Sequence, residues 1–160
     1  MKKETIKKVI SILFVLYIPV LFFILFLYRF RMGNQFEIEL FSEEHFQMVN
    51  YIPFATIISF FERAEEGAIS MNIVVRNMAA NLLMFIPMGM ALPVLFEKKF
   101  NKLWKMIMFM IVLVSIIEVT QFITFYGSAD IDDLILNVVS AVIGYGIVQL
   151  KFVRKILKLI

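Results

Sequence analysis

The chain has 160 residues, and 61% of them are apolar, with 18 Phe and 11 Met, against the roughly 45–50% apolar content of soluble globular proteins. So much apolar matter exceeds what one small core can bury, which excludes an ordinary soluble domain. The absence of Cys and a single His exclude a disulfide framework, a thiolate zinc site, a cysteine nucleophile and the paired-His zinc motifs; the net charge of +3 has to be read from where the basic residues lie.

Residues 9–28 run without a charge and, at about 1.5 Å per residue, cover the roughly 30 Å hydrocarbon core of a bilayer. This apolar run is too long for a secretory signal and is read as an uncleaved first spanning helix. The connection 29–77 is too long for a structureless loop in a compact protein. Within it Phe36, Ile38 and Leu40 alternate with Glu37 and Glu39 in a strand-like way, whereas Phe54, Ile57, Ile58 and Phe61 repeat at helical spacing. With Pro53 suited to a first helical turn, residues 53–66 predict an amphipathic helix that either lies on the membrane interface or packs over the mouth of the bundle, a lid in both cases. A second span covers 78–96, interrupted by Pro87 and Pro93; a third covers 103–125, with Glu118 and Gln121 inside it; a fourth covers 131–150, with Asn137 inside it. The expected fold is therefore an all-α membrane protein with four transmembrane helices and a lid between the first and second.

Every Lys falls at one set of span ends. Lys2, Lys3, Lys7 and Lys8 precede the first span, Lys98, Lys99, Lys102 and Lys105 lie between the second and third, and Lys151, Lys155 and Lys158 follow the fourth with Arg154. The opposite connections carry Glu37, Glu39, Glu43, Glu44, Glu62, Glu65 and Glu66, then Asp130, Asp132 and Asp133. The positive-inside rule places both termini in the cytoplasm and the acidic connections outside. The basic surplus is topogenic, and nucleic acid is not an expected partner.

The polar residues within the spans converge on the outer half. Arg76, Asn77 and Asn81 occupy the first turns of the second span; Glu118 lies about 10 Å below the outer end of the third by helical rise, with Gln121 one turn above it; Asp130, Asp133 and Asn137 form one stripe on the fourth. A carboxylate facing lipid at Glu118 costs several kcal/mol, so Glu118 faces the bundle interior, with Arg76 as the nearest cation by depth. Two readings of this cluster stand: a functional site, with Glu118 a candidate acid or base, or polar glue that hydrogen-bonds helices together, Ser140 and Gly144 supplying a small-residue packing face. Oxygen count is the one feature in favour of a metal, and no ligand spacing accompanies it, so neither metal nor cofactor is assigned. Asp132 lies off the Asp130 and Asp133 stripe and is expected to be solvated, as is His45 in its acidic loop.

The run 81–89, which contains Asn81, Phe85, Pro87 and Gly89, followed by Leu92 and Pro93, resembles the signature of the VanZ-like family of bacterial membrane proteins. Glu118 and Gln121, then Asp130, Ile131, Asp132, Asp133 and Leu134, then Asn137, Gly144 and Tyr145, are similar to the family's later block in order and spacing, and Asn50, Ile52, Pro53 and Phe54 to a motif before its second helix. Two positions depart: Gly127, Ser128 and Ala129 stand where the family usually has an Arg, and Ser140 where it often has Gly. An anion-binding guanidinium, if the site uses one, then falls to Arg76 or Arg63. The resemblance implies a role in resistance to teicoplanin, a lipid-tailed glycopeptide antibiotic, or in cell-envelope homeostasis at the outer leaflet of a bacterial membrane. Three readings follow: a non-enzymatic membrane factor that meets a lipid-anchored ligand or lipoglycopeptide, an intramembrane enzyme acting on a lipid or isoprenoid-linked substrate, and a structural subunit of an envelope complex. No nucleophile motif supports the second. A homo-oligomer is compatible with all three.

Overall fold

A computed structural model describes residues 3–28, 42–46, 49–125 and 127–157. The helices are α1 (Lys3–Phe22), which runs on as a π-helical stretch (Phe23–Tyr28), α2 (Glu43–Phe46), α3 (Ala55–Glu65), α4 (Met71–Met84), α5 (Ile86–Leu95), α6 (Leu103–Ile123), α7 (Ile131–Gln149) and α8 (Lys151–Ile156). Among the described residues there is no strand. Four segments, Lys3–Phe26, Met71–Leu95, Leu103–Ile123 and Ile131–Gln149, are long and apolar enough to cross a membrane. The chain is an all-helical, multi-pass membrane protein. The strand-like alternation at 36–40, Arg29, Arg31 and the His45 side chain lie outside the described residues.

The faces of α6 show why composition misleads if read as a soluble core. Met106, Met110, Val114, Glu118 and Gln121 recur at helical spacing and are buried, while Trp104, Met108, Val112, Ile116, Val119 and Ile123 form the exposed opposite face. The lipid-facing side is as apolar as the methionines and Val114 of the buried side, so burial selects shape and polarity rather than hydrophobicity. The core sits where α1, α5, α6 and α7 meet, around Phe85, Met88, Leu92, Met110, Ala141 and Tyr145.

The second spanning segment begins at Met71, about two turns before the apolar run that starts at residue 78. Ser70 supplies the reason: its hydroxyl caps the helix by accepting from the Asn72 amide at 3.3 Å, and helical hydrogen bonding proceeds through polar residues as readily as apolar ones. The segment then breaks at Phe85, because Pro87 has no N–H to return to the preceding turn. In a bilayer the groups freed by such a break need partners. The Phe85 amide donates to Ser140 Oγ at 3.0 Å, and the Met84 carbonyl accepts from the Tyr17 hydroxyl at 2.8 Å. Two side chains from α1 and α7 thus satisfy the break.

Packing of α5 on α7 depends on two glycines. A Cβ at Gly89 would stand 2.1 Å from the Ala141 carbonyl oxygen, and one at Gly144 would stand 2.3 Å from the Ile86 carbonyl oxygen. Backbone lies against backbone at both points, the close approach that small residues permit between membrane helices.

Candidate functional site

The sequence-predicted polar residues gather where the C-terminal part of α6 meets the N-terminal turns of α7, with α4 and α3 alongside. Chain direction alone brings these ends together: α6 and α7 are antiparallel neighbours joined by a short turn, and α4 runs parallel to α7. Asp130 is the N-cap of α7, its carboxylate accepting from the Asp132 amide at 2.8 Å. The Glu118 carboxylate accepts from the Asp130 amide at 3.3 Å, so the buried acid of α6 reaches the start of the next helix. Asn81 Nδ2 donates to Asp133 Oδ1 and ties α4 to α7. Asn81, Glu118, Gln121, Asp130, Asp133 and Asn137 are all buried, as their spacing predicts.

Gln121 points elsewhere. Its Nε2 donates at 2.8 Å to the Leu25 carbonyl in the last turn of the π-helical stretch, where carbonyls lack partners within the helix. Among the described residues its Oε1 is buried without a hydrogen-bond partner, and so is Asn137 Oδ1 one turn below Asp133. Two unsatisfied acceptors in the interior of a small bundle stand out, because buried polar atoms are almost always paired.

Asp132 differs from the expectation of a solvated side chain. It is 1% exposed and its carboxylate receives three backbone amides from the start of α3: Phe54 at 2.5 Å, Thr56 at 2.9 Å and Ile57 at 3.1 Å. On α7 Asp132 is turned about 100° from Asp133, off the stripe that faces α4, and α3 occupies that second side. The expected segment 53–66 is accordingly a helix, Ala55–Glu65, with its N-terminal dipole against a carboxylate. Phe54 holds a left-handed backbone, φ 69°, a conformation that costs a non-glycine residue about 1 kcal/mol and that the Asp132 bond compensates.

Asn50 completes the interlock. Its amide donates to the Ala129 carbonyl at 2.8 Å, its carbonyl accepts from the Ile131 amide at 2.9 Å, and its Nδ2 donates to Asp130 Oδ1 at 2.9 Å and to Thr56 Oγ1 at 3.0 Å. Its Oδ1 accepts from the Ile52 amide at 3.0 Å, shaping the turn into Pro53 and Phe54. Asn50, Pro53 and Phe54 on one side and Asp130 to Asp133 on the other are therefore one structural unit. Asp132 and Thr56 are supporting residues of this unit that helical periodicity did not place there. The periodicity of one helix cannot reveal a partner that docks from another.

Arg76 and Asn77 do not join the cluster as expected. Arg76 is exposed on α4, and no ion pair connects it to Glu118; Asn77 is half-buried and makes no side-chain hydrogen bond among the described residues. Among the described residues no group of three or more His, Asp or Glu is arranged to hold a metal ion.

The VanZ/LLP1 family model matches residues 14–153, a stretch that takes in the first spanning helix from Phe14 onward, the other three spanning helices and the whole polar cluster. No curated protein and no solved structure matches the chain. The interlocked blocks at 50–54, 81–89 and 118–144 all fall within the matched region, and the chain belongs to the VanZ/LLP1 family.

Proposed function

We propose that this protein is a non-enzymatic factor of the bacterial cell membrane that binds a lipid-anchored ligand or lipoglycopeptide at the outer leaflet, contributing to teicoplanin-type resistance or envelope homeostasis. The observation that carries this reading is Asn137 Oδ1, a buried acceptor within the polar cluster that has no hydrogen-bond partner among the described residues, with Gln121 Oε1 a second such acceptor on the side toward α1. A cluster that served only to glue helices would pair its polar atoms internally, because each unmade bond in a buried setting costs about 1–3 kcal/mol. Glu118, Asp130, Asp133 and Asn81 then shape a site, and α3 acts as its lid. The clustering of lysines at the opposite span ends supports an orientation with both termini in the cytoplasm, which turns this cluster outward.

The test is a resistance assay in a bacterial host carrying Glu118→Gln or Asp133→Asn. Each substitution removes the ionisable group while keeping shape and one carbonyl acceptor. The expected result is loss of protection with membrane levels unchanged. Full protection in both variants refutes the site. Comparison of host lipids by mass spectrometry with and without the protein separates binding from chemistry: a new or depleted lipid species contradicts the non-enzymatic reading.

A further inference from the structure

A groove of about 270 Å³ runs along the lateral face between α1, α5 and α7, remote from the polar cluster. Its walls are apolar: Ile10, Leu13, Phe14, Met90 and Val94 among them, with Leu157 at one end and Tyr17 beside Pro87 at the other. The Tyr17 hydroxyl is committed to the Met84 carbonyl, so the inner end offers no free polar group. From Ile10 to Tyr17 the helix rises about 10 Å, within the roughly 15 Å depth of one leaflet.

The mouth of this groove is strongly basic. Lys3 and Lys7 converge on a single carboxylate oxygen of Glu97, at 3.3 and 2.8 Å, so one positive charge there is left over. Lys7 lies one turn before Ile10, and Glu97 one turn after Val94, which sets this charge cluster at the end of the apolar walls. Arg154 and Lys155 stand in the short helix that leads to Leu157. Across the described segments 3–10, 94–102 and 150–157, Glu4 and Glu97 are the only acids among nine basic residues.

We infer that this groove is a binding site for an anionic phospholipid of the leaflet on the basic side, its acyl chain lying between α1 and α5 and its phosphate meeting the lysines at the mouth. An apolar trough accepts any tail; the surplus positive charge selects the headgroup, each lysine near the surface favouring an anionic lipid about five-fold. Two protein side chains sharing one carboxylate leave a place for a second anion. The site is independent of the outer cluster and of any ligand proposed for it.

Quenching of a tryptophan by lipids brominated on the acyl chain tests this. The sole Trp104 is replaced (Trp104→Phe), and the reporter is introduced by Leu13→Trp, a position 60% exposed and on the groove wall. A control carries Val112→Trp instead, on the lipid-facing side of α6. In vesicles mixing phosphatidylglycerol and phosphatidylcholine, brominated phosphatidylglycerol is expected to quench the groove reporter with about five-fold preference, falling toward unity in high salt and in Lys3→Gln/Lys7→Gln, while the control shows no preference. Should that double variant fail to insert, Arg154→Gln/Lys155→Gln is expected to reduce the preference in the same way. Equal quenching by the two headgroups at the groove, or the same preference at both reporters, overturns the inference. Quenching that disappears as the protein-to-lipid ratio rises also overturns it, since a second copy of the chain then covers the groove.

Discussion

Truncating Asp132 (Asp132→Ala) removes the acceptor of three amides at the start of α3, those of Phe54, Thr56 and Ile57. No residue of α3 is buried, so the helix has little apolar packing to hold it and relies on this carboxylate and on Asn50. A hydrogen bond to a charged acceptor contributes about 1.5–3 kcal/mol, but the Phe54 side of the turn is exposed and water re-satisfies part of the loss, so about 1 kcal/mol per bond is the better figure. Three bonds give about 3 kcal/mol of local stability, equivalent to roughly 100-fold faster amide exchange over the first turn of α3. Asp132→Asn keeps one carbonyl acceptor and loses the charge, and it is expected to fall between, near ten-fold. Hydrogen exchange on protein in detergent or nanodiscs, resolved to the peptides covering residues 50–66, makes the measurement. Unchanged protection in Asp132→Ala refutes the clamp. Protection lost equally in α6 and α7 refutes its locality, because those helices carry their own packing.

Other consequences follow from the same packing. Gly89→Ala and Gly144→Ala each drive a methyl into backbone 2.1–2.3 Å away, so the helices must part, and a loss of several kcal/mol is expected as a large fall in melting temperature; Gly146→Ala, with nothing within 4 Å, is expected to be neutral or to stabilise by up to about 1 kcal/mol. Ser140→Ala leaves the Phe85 amide without its acceptor and Tyr17→Phe leaves the Met84 carbonyl without its donor; each is expected to cost about 1–3 kcal/mol in thermal unfolding, whereas Ser140→Thr retains the hydroxyl and recovers part of the loss. Hydrogen bonding from Lys7, reinforced by Lys3, holds the Glu97 carboxyl below its ordinary value of 4.5. A depressed carboxyl stabilises the fold above its unfolded pKa, and that contribution is lost as pH falls below 4.5 through the folded value. Melting curves between neutral pH and about pH 3.5 should therefore converge for the native chain and Glu97→Gln, with a gap at neutral pH kept small by solvent screening of this exposed pair; a gap that widens on acidification contradicts the assignment.

Much of the architecture is legible in the residues themselves. The solvent is encoded in composition, since an apolar excess of this size has nowhere to go except lipid, and span number and span order follow from where charges interrupt it. Depth is encoded too: helical rise puts Glu118, Asp133, Asn137 and Asn81 near one level, and all four are buried there. Periodicity along a single helix also finds the face that meets the next spanning helix, as the Asp133 and Asn137 stripe shows. The same method turns Asp132 toward solvent, because the element that covers it, α3, is contributed by a segment almost eighty residues earlier and approaches from a direction that α7 does not encode. Arg76 fails for the converse reason: depth matched it to Glu118, but its azimuth on α4 points outward, and azimuth is meaningful only once the neighbours are in place.

Length, charge and spacing thus determine the solvent, the four spans and the level at which polar groups collect. Tertiary structure alone decides which carboxylate caps which helix, that Ser140 and Tyr17 satisfy the break at Phe85, and that Gly89 and Gly144 are sites of backbone contact. The physical reason is that a bilayer imposes its thickness on each helix separately, so those features are local to the sequence. Hydrogen-bond satisfaction and close packing join atoms from different helices, and their partners exist only after the bundle has assembled.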